Sequence, residues 1–190
     1  MNSKIPAYLT EIYAFDPATG TFTIPVIIEK YDDLFNKLDH SPIRRKDLSY
    51  DFVTFLEECT NEIPDRHPLE LAIHITAQNA QNLLENEVVA GIRYYYSYLA
   101  NRTRQEIRQK RLQAVKYVLI SLAFITTAVL STPLIVNNVV FEIANEGLHI
   151  GGWVFLWEAF LVNFISMDEN KANVQQAERL CKASILFTYE

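Results

Sequence analysis

Residues 118–136 read VLISLAFITTAVLSTPLIV, an uninterrupted run of 19 uncharged residues. A predominantly apolar run of about 18 or more residues is long enough to cross the hydrocarbon of a bilayer as a helix, and core helices of soluble domains rarely contain one. We therefore predict a transmembrane helix over residues 118–136, which makes the chain an integral membrane protein.

A second span is predicted over residues 147–167, although His149, Glu158 and Asn163 interrupt it. The connection 137–146 contains no Lys or Arg, as expected of an outside loop, because Lys and Arg accumulate in cytoplasmic segments. Basic residues instead precede the first span and follow the second: Arg102, Arg104, Arg108, Lys110, Arg111, Lys116, Lys171, Arg179 and Lys182. The two spans should therefore form a hairpin with both termini in the cytoplasm.

The predicted fold class is α+β, with a small N-terminal cytoplasmic domain, a long helical stalk and a two-helix transmembrane hairpin. The N-terminus lacks the apolar stretch of a signal peptide, so the first span should double as the insertion signal. The predicted segments are an α+β domain (1–80), an amphipathic and basic stalk helix (81–117), the first span (118–136), an outside loop (137–146), the second span (147–167) and a cytoplasmic tail (168–190).

Within the domain, Tyr8–Phe15 and Phe22–Lys30 are rich in β-branched and aromatic residues, which predicts two strands. Asp16-Pro-Ala-Thr-Gly20 between them has turn chemistry, so the strands should form a hairpin. Pro25 removes a backbone donor from the second strand and indicates an edge strand or a bulge.

The rest of the domain is predicted to be mainly helical. Asp32–Leu38 should be a short helix, and Ser49 should cap a second helix that runs to about Asn61. Leu69–Thr76 has the pattern of a buried strand. One helix should then begin at Gln81 and run into the membrane, with Gly91 as its weakest point.

Charge is unevenly distributed along the chain. Residues 1–100 contain 8 Lys/Arg and 15 Asp/Glu, a net charge of −7, whereas residues 101–117 contain 6 and 1, a net charge of +5. A basic block confined to the edge of a span is typical of a topology determinant that contacts anionic lipid heads. The acidic domain beside it argues against a nucleic-acid partner, so the expected partner is the lipid bilayer.

No group of residues specifies a reaction. The chain has 5 glycines and no phosphate-binding loop, and its histidines and cysteines lack the spacing of zinc ligands. Cys59 with His40 or His67 could form a nucleophile and a base, although no local motif supports this pairing. We expect a protein that is not an enzyme and that uses no cofactor or metal.

The most polar stretch of the domain is Asp39–Asp47, DHSPIRRKD. One interpretation is a solvated connector between two helices. The alternative is a recognition loop in which Arg44, Arg45 and Lys46 donate hydrogen bonds to an anionic ligand or to lipid heads.

The second span carries polar and small residues at helical spacing. Gly147, Gly151 and Glu158 share one face, because four and eleven residues return to nearly the same helical angle. The glycines permit close packing, either between the two spans or between copies of the chain. Glu158 is costly in hydrocarbon, so it should face a polar interior, a partner or an ion pathway, or else extend to the cytoplasmic surface.

Neighbouring residues of that region are also candidates for packing or for a pathway. Gly152 adjoins Trp153, whose depth indicates helix packing, whereas Trp157 suits the inner interface of the bilayer. Glu142 and Glu146 would lie at the outer mouth of a pathway.

Two motifs carry a resemblance to a known family. They are Leu34–Pro42 with Arg45-x-Asp47-Leu48, of the form LFNxLDxSPxxRxDL, and Glu146–Trp157, of the form EGLxIGGWVxxW. The chain resembles a widespread bacterial family of small two-span membrane proteins for which no activity is established. The similarity covers most of residues 24–167 and implies a bacterial inner (plasma) membrane location. Where relatives typically have an arginine and a proline after the second tryptophan, this chain has Glu158-Ala159.

Three classes of function follow. The first is a non-enzymatic interaction or sensing module that is held at the membrane, self-associates and binds a cytoplasmic protein. The second is an oligomeric cation-conducting pore or membrane effector that uses Glu158 together with Glu142 and Glu146. The third, which ranks last, is a membrane-tethered enzyme.

Overall fold

The computed structural model describes residues 6–75, 82–134 and 139–189, without the side chains of 82–83, 134 and 163–169. The chain divides into two compact units. We call Met1–Asn101 with Asn173–Glu190 the sheet unit and Arg102–Ala172 the hairpin unit. The fold is mixed α+β and contains a long apolar helix, as the sequence predicts, and the described residues form a four-stranded sheet.

The elements alternate between short strands and helices of very different lengths. In chain order they are α1 (Ala7–Ile12), β1 (Ala14–Asp16), β2 (Thr21–Ile28), α2 (Tyr50–Glu62), β3 (Leu69–Ile75), α3 (Asn82–Ser131), α4 (Val139–Lys182) and β4 (Ser184–Tyr189). Single 3₁₀ turns lie at Tyr31–Leu34, Ile43–Arg45 and Thr132–Leu134.

The strands follow one another in the sheet in chain order, β1-β2-β3-β4. β1 pairs antiparallel with the first residues of β2, and the two remaining pairs are parallel. Parallel neighbours need a crossover connection. The crossover from β2 to β3 contains α2, and the crossover from β3 to β4 contains both α3 and α4. The hairpin unit is therefore an insertion within a β-α-β crossover.

The core lies on one face of the sheet. Alternate residues of β2 and β3 are buried there, against α2, the first turns of α3 and the last turns of α4. The largest fully buried side chains are Tyr96, Phe22, Phe35, Leu9, Ile24, Leu34, Leu56, Ile63, Leu71, Ile73, Ile75 and Ile92. The opposite face of β2 is exposed, as Ile27 is 85% accessible.

The predicted hairpin is confirmed, but its first strand is much shorter than expected. Only Ala14–Asp16 pairs with β2, and Gly20 closes the turn with a φ of +72°, which favours glycine. The predicted strand at Tyr8–Phe15 is wrong over most of its length, because residues 7–12 form α1. The helical turn places Leu9 and Tyr13 together against the core, where the Tyr13 hydroxyl donates to Glu62 Oε2 at 2.8 Å.

Pro25 lies in β2 beyond the three residues that β1 covers. β2 is internal at its start and an edge strand at Pro25, so the edge prediction holds for the part of the strand that contains the proline. The missing N–H costs no ladder hydrogen bond there.

The helix and strand predicted by capping and alternation are confirmed. Ser49 caps α2 and its Oγ accepts from the Phe52 N–H at 3.3 Å, and β3 ends at Ile75. The predicted helix at Asp32–Leu38 is only a 3₁₀ turn over Tyr31–Leu34. Thr76, Gln81, residues 135–136 of the first predicted span and residues 137–138 of the predicted loop lie outside the described residues.

The C-terminal segment and the predicted loop differ from expectation. Residues 168–190, which we predicted to be a tail, contain the end of α4 and the strand β4, so the domain is not confined to residues 1–80. β4 forms because its backbone pairs with β3, a strand more than a hundred residues earlier. The predicted loop 137–146 is already helical from Val139 onward.

Candidate functional site

The hairpin unit is an antiparallel pair formed by the second half of α3 and the first part of α4. Its seam is built from small buried residues at seven-residue intervals, namely Ala114, Ser121 and Ala128 on α3 and Gly152 and Ala159 on α4. Seven residues are close to two helical turns, so each series stays on one side of its helix. Small side chains allow two helix backbones to approach closely.

The closest approach of the two helices is at Gly152. The Ser121 hydroxyl donates to the Gly152 carbonyl at 2.6 Å, and a Cβ at position 152 would lie 2.5 Å from Ile125 Cγ1. A Cβ at Gly151 would lie 3.0 Å from the Phe124 ring, whereas one at Gly147 would have nothing within 4 Å. Of the glycines predicted to pack, Gly151 and Gly152 are at the seam and Gly147 is not.

Replacing Gly152 by leucine should separate the two helices, because the added side chain would occupy space that Ile125 and the Ser121 backbone already fill. We expect a loss of about 1–3 kcal/mol in hairpin stability, the usual cost of overpacking. Gly147→Leu is the matched control and should change little. The measurement is the cross-linking yield between cysteines placed across the seam in purified protein; equal yields in both variants would contradict this packing.

Much of the outer surface of the hairpin unit is apolar from Leu112 onward. The residues with large, exposed hydrophobic side chains are Leu112, Val115, Val118, Leu119, Ile120, Leu122, Val129, Leu130, Val139, Val140, Phe141, Ile143, Ile150, Trp153, Val154, Leu156, Trp157 and Phe160. Trp153 is 65% and Trp157 is 62% exposed, and Trp157 stacks on Phe160 with ring centroids 5.6 Å apart. Monomeric soluble proteins rarely expose large contiguous apolar patches.

One helix in the described part of the chain is long and apolar enough to cross a membrane, judged by length and composition. It is Leu84–Ser131, with a mean hydropathy of 1.8 in its most apolar window, and only 17% of that window is buried. The second predicted span extends into side chains that the structure does not describe, those of residues 163–169.

The acidic residues of the predicted pathway occupy two separate places. Glu158 is exposed and lies outside the seam. Glu142 and Glu146 line an open hollow of about 530 Å³ beside Thr132 and Asn145. The Asn145 side chain accepts from Ser131 Oγ at 2.7 Å, which ties the two helices together near their connection.

The three cations of the stretch Asp39–Asp47 do not converge on one point. Arg44 donates two hydrogen bonds of 2.6 Å to the carboxylate of Glu87 on α3. These bonds lower the pKa of Glu87. Lys46 Nζ lies 3.9 Å from Asp32 Oδ1. The exposed Arg45 has no side-chain partner among the residues that the structure describes.

Asp39 closes this stretch into a compact loop. Its carboxylate accepts from the backbone N–H of Asp47 at 2.8 Å and of Ser41 at 2.9 Å, and these bonds lower the pKa of Asp39 to about 2. The loop docks on α3 at Gly91, where a Cβ would lie 2.6 Å from the Ile43 carbonyl oxygen. The geometry therefore favours the connector interpretation, with Arg45 as the cation that remains available to a ligand.

Cys59 is a poor candidate for a nucleophile. It is 6% exposed, and burial raises the pKa of its thiol, which disfavours the reactive thiolate. Among the described residues, the other side chains that influence the pKa of this thiol are those of Tyr13, Glu58 and Glu62, and none of them is a histidine. His67 instead places Nδ1 2.9 Å from the Gly20 carbonyl oxygen.

Sequence reasoning named Gly151 and Gly152 for helix packing but missed the other residues of the seam, Ala114, Ser121, Ala128 and Ala159. The signal of the seam is present in the sequence as small residues at seven-residue intervals, but a search for glycines four residues apart passes over it. Comparison with protein-family models, with curated proteins and with solved structures finds no match to this chain.

Proposed function

We propose that the protein is a two-pass integral membrane protein of the bacterial inner membrane, in which the sheet unit is a non-enzymatic interaction or sensing module held at the cytoplasmic surface. On this proposal the chain belongs with the two-span family that its motifs resemble, binds the bilayer through the hairpin unit and self-associates.

The observation that carries the proposal is the reversed distribution of side-chain size and polarity in the hairpin unit. Small residues fill the seam while tryptophan, phenylalanine and branched aliphatic side chains face outward. In water this arrangement would leave the apolar surface exposed, whereas in a bilayer helices associate through small residues and the lipid covers the large ones. The exposed cations Arg102, Arg104, Arg108, Arg111 and Lys116 all precede the uncharged run that begins at Val118, which supports a cytoplasmic position for that end.

An interaction role is favoured over catalysis. Burial raises the pKa of the Cys59 thiol and disfavours its reactive thiolate, so the candidate nucleophile has little support. The sheet unit instead has exposed backbone groups and exposed side chains, to which another protein can bind.

The pore alternative has less support. Glu158 lies on the outside of the hairpin, so a conducting path would need several copies to enclose it. At Gly152 the seam of a single hairpin is closely packed against Ile125 and the Ser121 backbone, which leaves no room for an ion at that point.

Thiol labelling tests the proposed topology. On a background of Cys59→Ala and Cys181→Ala, a membrane-impermeant maleimide should label Glu142→Cys in spheroplasts, in which the inner membrane is intact and accessible, and should label Arg108→Cys only after lysis. The protein should stay with the membrane after an alkaline carbonate wash, and its native mass in lipid nanodiscs should exceed that of one chain. Recovery in the soluble fraction, or labelling of Arg108→Cys in intact spheroplasts, would refute the proposal.

A further inference from the structure

Among the residues that the structure describes, no strand pairs with the second half of β2 on the side away from β3, which leaves an open backbone edge there. β1 covers only Thr21–Thr23. The Phe22 N–H donates to the Pro68 carbonyl at 3.0 Å, toward the β3 side. Because successive residues of a strand point their backbone groups to opposite sides, Pro25 and Ile27 present theirs to the side that β1 has left.

This open edge offers hydrogen bonds that the sheet does not use. The carbonyl of Pro25 and both the N–H and the carbonyl of Ile27 face it. Edge strands in proteins are usually shortened, charged or covered to prevent pairing with another chain. Residues 7–12 precede β1 and could have extended it along this edge. They form α1 instead and do not pair with β2.

A groove runs beside the edge. It has a volume of about 880 Å³, within the usual range of ligand sites, and is bordered by residues 25–29 on one side and by the start of α2 and residues 35–37 on the other. Its apolar lining includes Phe55, 40% exposed, beside the buried Phe35 and Phe52, whereas Ile27 borders the groove with its backbone and points its side chain to the opposite face of the sheet. A groove between a strand edge and a helix is a geometry that accepts an extended peptide.

The charges around the groove select among such peptides. Its lining contains the carboxylates of Glu29, Asp33 and Asp51 and one ammonium group, that of Lys37, 4.0 Å from Asp33. The excess of carboxylates favours a basic ligand.

We propose that this groove binds an extended segment of a partner polypeptide as an added β-strand beside β2, and that the segment alternates apolar residues with lysine or arginine. The apolar residues would contact Phe55 and the groove floor, while the basic residues would reach the acidic rim. This inference rests on the proposed interaction role and names the class of partner, and it does not depend on the membrane topology.

A second copy of the chain is a poorer occupant than a different polypeptide. The strand at the other edge of the sheet, β4, reads SILFTY and carries no charge. It could pair with β2 through its backbone but would bring no basic side chain to the acidic rim of the groove.

The test is selection of short random peptides from a display library against the full chain in nanodiscs. Enriched peptides should alternate apolar and basic residues, and their affinity should fall as salt is added. Ile27→Pro removes the N–H at the open edge and leaves the β3 side intact, so it should fold normally and bind about tenfold more weakly. Ile27→Ala keeps the N–H and is the matched control, with a smaller loss.

Near-UV circular dichroism confirms that both variants are folded. No enrichment, or peptides that bind Ile27→Pro as tightly as the unchanged chain, would overturn the proposal. Dimerisation that Ile27→Pro abolishes, without peptide binding, would assign the edge to a second copy and overturn it as well. Each of these failures leaves the labelling pattern of the two-pass topology unaffected, so the two proposals fail separately.

Discussion

Replacing Arg179 by methionine should lower the free energy of unfolding of the sheet unit by on the order of 3 kcal/mol. The guanidinium group lies at the end of α2, where it donates to the carbonyls of Ile63, Pro64 and His67 at 3.2 Å and to Asp65 Oδ1 at 3.0 Å. Its side chain is 12% exposed. Methionine would fill part of the space and leave these carbonyls without a donor.

Loss of the positive charge of Arg179 does not by itself account for this destabilisation. Burial lowers the pKa of Arg179 and the nearby Asp65 only partly offsets this, but the ordinary pKa of arginine is so far above neutral that the group stays protonated. Arg179→Lys keeps the charge but cannot fork across several carbonyls, so we expect about half of the loss. Lys182→Met is the matched control, since that side chain is 79% exposed and its removal should cost less than about 0.5 kcal/mol.

Denaturant unfolding of the full chain in detergent, with hydrogen exchange to locate the change, measures the effect of Arg179→Met. Exchange should rise at the C-terminal end of α2 and in the last turns of α4. If Arg179→Met and Lys182→Met unfold at the same denaturant concentration, the guanidinium does not stabilise this junction.

Replacing Gly91 by leucine should destabilise the sheet unit by about 2–3 kcal/mol, near the upper end of overpacking costs. A Cβ at this position would lie 2.6 Å from the Ile43 carbonyl oxygen and 3.1 Å from Phe35 Cε1. The first of these is a backbone atom of the loop that Asp39 closes and Arg44 holds to α3, so it cannot shift cheaply.

Helix propensity opposes this loss but does not cancel it. A leucine inside a helix is favoured over glycine by less than about 1 kcal/mol. Asn86→Leu, at an exposed position of the same helix, carries the propensity gain without the collision and should be neutral or slightly stabilising. Hydrogen exchange in residues 39–47 of Gly91→Leu should increase as the loop leaves α3; unchanged exchange and stability would show that the loop can give way.

Gly91 also shows which structural information a local sequence pattern does not contain. From sequence, Gly91 is a weak point in a long helix, because glycine lowers helix propensity wherever it stands. In the fold it is the position at which another segment contacts the helix backbone. Arg179 likewise belongs to a cluster of basic residues after the second predicted span, and its contacts with the end of α2 have no sequence signature.

The sequence by itself determined the features whose causes lie within a few residues or within one continuous run. These are the long apolar helix, the Ser49 cap of α2, the turn at Gly20 and the strand β3. Tertiary structure alone decided that residues 7–12 form a helix, that residues 184–189 complete the sheet, and that the second half of β2 is left open. The physical reason is that each of these depends on partners distant in the chain, such as Tyr13 with Glu62 or β4 with β3, and local propensity is too weak to choose between the alternatives without them.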